Sequence, residues 1–531
     1  MSAYVKKMIS LILCSVLLLS AAPMPAGAAI SPAKLSGIKE IVASGGFWGG
    51  NSFALGKDGS VWVWGSNVFG QFANGTAGPE GWIITPHRLS VLDHTKQLVV
   101  GRGGVYAALK EDGTVTVWGG FEKKPKTVPD SDEQIEVLPM QTVSGLTHVT
   151  RINATIDGFL ALKQDGSLVQ WKVPAGSGQG YTEYPAAEKT PILTEVAMFS
   201  SGFFNAAVRK NGTLWLWRQE SSTFNTGLSV TPAPVSNLYH VQTIAQNENN
   251  LLALTKDGKV WASVRNPDRS NKVVLKKMEG LSNIVTIQTG NGVNLVQNSK
   301  GEYWFWKSGT QLQYLQKVTG ISGISRLTLD LGGFTAVKND GTVWTWQQKY
   351  VSEDTWGVTP PKIVKGLLNP VLFATGENSK YAVLKDGTAV AWGTNMFGQL
   401  GISALDSRPF KVSPILKPVT LVINGKVIQS EQSAIYTEGN VMIPLREVAQ
   451  ALGYTVSWDG MNTILAKQGK SVMLKEGQFI SDGGKGSIAV RPPAIQVSYT
   501  LLVPAGALAQ ALGITAKWES NLYRLTLTTQ K

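Results

Sequence analysis

One short pattern recurs eight times between Asp58 and Trp392: an apolar strand, a Gly turn, then an aromatic-rich strand. Clear copies are Lys57-Asp-Gly-Ser-Val-Trp-Val-Trp64, Lys210-Asn-Gly-Thr-Leu-Trp-Leu-Trp217, Asn339-Asp-Gly-Thr-Val-Trp-Thr-Trp346 and Lys385-Asp-Gly-Thr-Ala-Val-Ala-Trp392. The turn glycines are Gly59, Gly113, Gly166, Gly212, Gly258, Gly301, Gly341 and Gly387, spaced 40 to 54 residues apart. A period of that size specifies an array of small β-sheets. Repeats build a scaffold, and function then sits in the loops.

Asp-Gly or Asn-Gly between apolar runs signals a hairpin with a tight primed turn. In the strand that follows, Val61 and Val63 take one face, Trp62 and Trp64 the other. That period of two marks a strand between different surroundings. Twelve of the 17 Trp lie in these strands. Large rings at regular register predict packing between neighbouring sheets; a row of carbohydrate-stacking rings is the alternative. An element such as Gly37-Ile-Lys-Glu-Ile-Val-Ala-Ser44 precedes each hairpin, and a Pro-bearing stretch such as Thr359-Pro-Pro-Lys-Ile-Val364 adds an edge strand. Four short strands per unit is the count of a propeller blade.

The last unit ends Trp392-Gly-Thr-Asn-Met-Phe-Gly-Gln-Leu-Gly401, and the first ends Trp64-Gly-Ser-Asn-Val-Phe-Gly-Gln71. These endings resemble the repeats of the regulator of chromosome condensation family. The resemblance covers about 375 residues and implies a mainly β fold, a closed propeller of four-stranded blades, habitually seven; the eight turns, each with its own strand before and after, favour eight over seven. The middle units have lost the ending. The family His is absent: its places hold Asn51, Val105, Gly158, Phe204, Asn250, Gly292, Gly333 and Lys380.

A different region starts near Lys417 and carries an internal duplication. Val441-Met-Ile-Pro-Leu-Arg-Glu-Val-Ala-Gln-Ala-Leu-Gly-Tyr-Thr-Val-Ser-Trp458 repeats, 60 residues on, as Leu501-Leu-Val-Pro-Ala-Gly-Ala-Leu-Ala-Gln-Ala-Leu-Gly-Ile-Thr-Ala-Lys-Trp518. Each copy predicts strand, Pro at helix entry, amphipathic helix, Gly stop, strand. This small α+β region resembles the N-terminal, stalk-like domain of copper amine oxidases, a module of exported Gram-positive bacterial proteins. The predicted divisions are a signal peptide at 1–28, a linker at 29–37, the propeller at 38–416 and the stalk-like domain at 417–531.

The first residues have the marks of a targeting segment: Lys6 and Lys7, a short apolar run from Ile9 to Leu19, then Ala26-Gly27-Ala28. The run is short for a bilayer span, so no membrane anchor is expected after cleavage. Cys14 is the sole cysteine, so the cleaved chain has no disulfide, thiolate metal site or Cys nucleophile. The formal charge is +13, or +11 without Lys6 and Lys7. Its lysines and arginines are dispersed, and Lys123, Lys124 and Lys126 are their densest cluster. A solvated basic surface explains this, and no nucleic-acid partner is expected.

Amine oxidation does not fit the residues. It requires a quinone-forming Tyr and a copper site of three His, whereas His87, His94, His148 and His240 are scattered singly in the repeats. No cofactor and no metal are expected. Gly101-Arg-Gly-Gly104 lacks the Lys-Ser/Thr and helix of a phosphate cradle. The repeated acids Asp58, Asp112, Asp165, Asp257, Asp340 and Asp386 fit turn chemistry.

Binding remains. Phe47, Trp48, Tyr106, Phe159, Phe203, Phe204, Phe334 and Tyr381 lie just before or at the inner strands. They are candidate interface anchors if exposed together, and core caps otherwise. The expectation is a non-enzymatic binding scaffold, secreted or held at the cell wall. Its partner is an unspecified protein or cell-wall polymer, and the C-terminal domain is a spacer or attachment module. The resemblance leaves a β-lactamase-inhibiting propeller open. A wall-polymer hydrolase or lyase using propeller carboxylates is the enzymatic alternative.

Overall fold

The computed structural model describes residues 32–529, apart from 45–49, 74–80, 102–103, 123–134, 157, 174–182, 220–225, 248–249, 265–272, 291, 309–314, 331–332, 351–355, 377, 405, 431, 438 and 482–485. The expected signal peptide therefore lies outside the described residues, as do Phe47 and Trp48. No helix among the described residues is long and apolar enough to cross a membrane.

The eight hairpins form eight antiparallel sheets among the described residues. The first runs in chain order through Ile38–Ser44, Asn51–Gly56, Val61–Ser66 and Trp82–Arg88. The third has three strands and the seventh five, so four per unit holds for six of the eight. The Pro-bearing stretch joins the hairpin before it, not the one after: Lys362–Leu368 pairs with Thr342–Tyr350. With no further room in the next sheet, it completes the one its chain has just left.

The turns differ from the primed two-residue form. Leu55 pairs with Val61, and the N–H of Gly59 donates to the oxygen of Gly56 at 3.1 Å. Only the glycine takes positive φ, +77° at Gly59. This is a three-residue loop: a type I turn followed by a left-handed residue. Asp58 Oδ1 accepts from the Ser60 N–H at 3.0 Å and its hydroxyl at 2.6 Å. Asp112 and Asp340 bind Thr114 and Thr342 in the same way.

Neighbouring sheets are joined by a recurring main-chain bond from one sheet to the turn of the sheet before it, set beside a bond that extends the second sheet's own ladder. The turn carbonyl of Gly59 accepts from Thr95 at 3.0 Å, and His94 accepts from Glu111 at 2.8 Å. Gly113 and His148, Gly212 and His240, and Gly258 and Asn283 repeat it. His94, His148 and His240 hold φ near +60° at these joints, a conformation in which His and Asn are enriched. Three of the four histidines thus belong to joints between sheets. The same arrangement recurs between the eighth sheet and the first: Gly387 accepts from Ile38 at 3.4 Å, and within the first sheet Gly37 accepts from Lys57 at 2.8 Å. Beside it, the Leu35 N–H donates to Ile415 at 2.8 Å, while the Leu35 oxygen accepts from Ala389 at 2.9 Å.

The inner Trp of six strands fills the core, whereas Trp392 is half-buried and the fifth sheet has Ser263 at that position. Trp64, Trp118, Trp171, Trp217 and Trp306 are fully buried. The outer set, Trp62, Trp215, Trp261, Trp304 and Trp344, is half-buried. Full burial of so large a side chain contributes several kcal/mol of hydrophobic stabilisation at about 25 cal/mol per Å².

The C-terminal region pairs its two copies with each other. Ile443 faces Val503 across antiparallel strands Asn440–Pro444 and Thr500–Pro504, equivalent positions of the 60-residue duplication. The helices Leu445–Ala451 and Ala505–Leu512 start directly after Pro444 and Pro504. Gly513 caps the second at φ +62°, where a side chain would be strained. The region has its own core, which includes Leu421, Ile443, Val448, Leu508 and Leu525.

Candidate functional site

The predicted aromatic anchors are mostly closed to solvent. Tyr106, Phe159, Phe204, Phe334 and Tyr381 are each at most 3% exposed; Phe203 is half-buried. Register explains why. Tyr106 stands opposite Trp118, Phe159 opposite Trp171 and Phe334 opposite Trp346. Their rings stack at 5.7, 5.0 and 5.4 Å. Cross-strand aromatic pairs stabilise a sheet, so these five side chains form core contacts and not an exposed face. Tyr381 packs at the joint of the eighth and first sheets: its hydroxyl accepts from Ser52 at 2.8 Å and donates to the Gln399 oxygen at 2.8 Å. Burial pushes its phenol up to about 12.

The intact loop endings also act at joints. Asn67 Oδ1 accepts from Phe72, and Asn395 Oδ1 from Leu400, at 2.9 and 2.8 Å. Each loop then presents a Gln carbonyl to an indole of the adjoining sheet. Trp118 donates to Gln71 at 3.1 Å, and Trp64 donates to Gln399 at 2.6 Å. In the middle units, which lack the ending, the indole nitrogens of Trp217 and Trp306 have no partner among the described residues. Where the family carries His, Lys380 instead pairs with Asp330 at 2.9 Å.

The turn acids are engaged. Asp58, Asp112, Asp165, Asp340 and Asp386 are all held below the ordinary carboxylate value, chiefly by hydrogen bonds from the Ser or Thr two residues on. They are anionic acceptors at neutral pH, unsuited to donate a proton. Among the described residues no three His, Cys, Asp or Glu side chains gather as a metal site would require.

A cleft of about 600 Å³ opens between the first sheet and the C-terminal region. Lys57, Trp62, His87 and Arg88 contribute from the sheet; Lys417 and Ser433 contribute from the other wall. Leu35, Ser36 and Gly37 also line it, and the Lys57 ammonium lies 4.0 Å from where a Cβ on Gly387 would stand. Trp62 is oriented by its indole, which donates to Ser60 Oγ at 3.3 Å. Arg88 pairs with Asp93 at 2.9 Å, whereas Lys57 and Lys417 have no acidic partner among the described residues. Burial holds His87 below the ordinary imidazole value, so its ring is neutral at neutral pH.

The walls are fixed to each other. Trp82 and Ile84 of the first sheet pack with Ile435, Met442, Val497 and Leu502. Gln432 Nε2 donates to the Trp82 oxygen. Ala33 packs on the C-terminal core, and its oxygen accepts from Lys417 at 2.7 Å. Trp62 belongs to the row of rings for which carbohydrate stacking was the alternative, whereas Lys57 and Lys417, 360 positions apart, did not stand out in the sequence as a site.

A family model, the copper amine oxidase N-terminal domain, matches residues 422–527. The RCC1 domain-containing protein RUG3, mitochondrial, of Arabidopsis thaliana is 26% identical over 291 residues, covering 48% of this chain and 63% of the relative. Protein pim1 of Schizosaccharomyces pombe is 25% identical over 319 residues, covering 49% of this chain and 58% of the relative. The chain thus spans about three fifths of the length of these two relatives. Among solved structures, Prp20p of Saccharomyces cerevisiae aligns at TM-score 0.43 and 13% identity, covering 67% of this chain and 85% of that one. Repeats like those of the regulator of chromosome condensation proteins therefore precede a copper amine oxidase N-terminal domain in this chain.

Proposed function

We propose that this chain is an exported, non-catalytic binding scaffold whose eight sheets close into one ring. The eighth-to-first joint, built from the same bonds as the joints between consecutive sheets, supports closure. Residues 38–416 would form the ring and residues 417–531 a domain held against it. The apolar contact at Trp82 and Ile84 favours a fixed attachment over a loose spacer. The ligand belongs to the cell envelope, as a polymer or a protein, and the chain is secreted or wall-associated.

One observation carries the binding role: a cleft between two mutually fixed walls, with Lys57 and Lys417 unpaired in it. Sites of this kind favour domain junctions. The engaged turn acids count against the hydrolase or lyase alternative. The buried aromatics count against an inhibitor that works through those rings. The test is to incubate the full chain with a cell-envelope preparation, then to measure its retention and the release of polymer fragments. Saturable retention without fragments is the expected result. Fragment release, or no retention, would overturn the reading.

A further inference from the structure

The cleft also carries a chemical signature. Two unpaired ammonium groups, Lys57 and Lys417, stand at its opposite walls. Trp62 lines the same cleft, and its N–H is already engaged, so its remaining recognition surface is the flat apolar face of the ring. The cleft is also lined by the neutral hydrogen-bonding groups His87 and Ser433, and by Asp58, whose Oδ1 is taken up by the N–H and hydroxyl of Ser60. A bare inorganic anion would use the cations and leave the ring and the neutral groups idle. An apolar ligand would leave the cations without partners. A sugar ring bearing a carboxylate uses all three: its C–H face against an aromatic plane, its hydroxyls on neutral polar groups, and its charge on the ammonium groups.

We propose that this cleft binds an acidic saccharide of the hexuronate kind, with its carboxylates at Lys57 and Lys417 and a sugar face on Trp62. The assignment rests on the binding role proposed above and names the ligand class of that same site. The volume, about 600 Å³, falls within the usual range of ligand clefts of roughly 300–1,000 Å³. Arg88, held by Asp93, adds positive potential at the rim without being consumed by the ligand.

Calorimetric titration of the full chain would use three probes: a galacturonate oligomer, a neutral galactose oligomer of equal length, and inorganic phosphate. Saturable binding of the galacturonate oligomer, with weaker or no binding of the neutral one, is expected. Added salt should weaken it, because the cations are exposed. The pair Lys57→Gln and Lys417→Gln should lower the affinity about tenfold or more while leaving the melting temperature in place. No saturable binding of the galacturonate oligomer would overturn the proposal. So would equal affinity in the double variant, or binding of phosphate alone. If the double variant is still retained on the envelope preparation, the scaffold role stands and this site assignment falls.

Discussion

The indole N–H of Trp64 donates to the main-chain oxygen of Gln399 at 2.6 Å, across 335 positions of chain. Trp118 makes the same bond to Gln71 between the first and second sheets. Trp217, equally buried, has no such partner among the described residues. Trp64→Phe should therefore cost about 1 kcal/mol more than Trp217→Phe, the usual net value of a buried hydrogen bond. Chemical denaturation midpoints of the two variants measure the difference. Equal losses would mean that the Gln399 contact contributes nothing.

Asp58 organises its turn through two bonds to Ser60, and Asn211 makes the equivalent pair to Thr213 in the fourth sheet. A neutral amide thus does the same work. Asp58→Asn should be nearly neutral, and Asp58→Ala should lose about 0.5–1.5 kcal/mol. Because hydrogen bonds hold the Asp58 carboxyl below its usual value, its contribution is present above the unfolded value. It is lost as pH falls through the folded one. Acid denaturation of wild type and Asp58→Asn checks this: the variant should be less acid-sensitive.

His87 gives a different pH dependence. Burial lowers its folded value below the ordinary imidazole value, so the unfolded chain takes up the proton first. Stability should then decline as pH falls through that unfolded value, and it should be fully present above it. Melting temperatures between neutral and mildly acid pH measure the slope. His87→Gln should flatten it, and an unchanged slope would contradict the burial argument.

The duplication is asymmetric at its tryptophans. Trp518 stacks on Tyr436 at 5.8 Å and meets Tyr523 edge-on at 5.3 Å. Its counterpart Trp458 is 68% exposed, because the positions matching those tyrosines hold Gln496 and Thr463. Trp518→Ala should cost about 3 kcal/mol or somewhat less. Trp458→Ala should stay within about 0.5 kcal/mol. Thermal unfolding of both variants decides between them.

The hairpins and Trp strands were legible because glycine at a left-handed turn and a period of two each have one physical cause. The 60-residue duplication was legible for the same reason, with Pro at helix entry and Gly at helix exit. The seam histidines were not legible. His94, His148 and His240 are placed by positive φ, and that conformation has no pattern in sequence. The aromatics were left open between interface anchors and core caps although a signal existed: Tyr106 to Trp118, Phe159 to Trp171 and Phe334 to Trp346 are each twelve residues apart. A constant spacing across a hairpin marks facing positions, hence stacked core rings. The cleft was hidden because it needs Lys57 and Lys417 brought together by the joint between the eighth and first sheets.

That joint is the centre of the account, and amide hydrogen exchange of the native chain tests it residue by residue. The Ile38 N–H, bonded to Gly387, and the Leu35 N–H, bonded to Ile415, should exchange as slowly as those of Thr95 and Val241, bonded to Gly59 and Gly212 at joints between consecutive sheets. Slow exchange at all four is the predicted result. Fast exchange at Leu35 and Ile38, with Thr95 and Val241 protected, would contradict closure and the cleft built upon it.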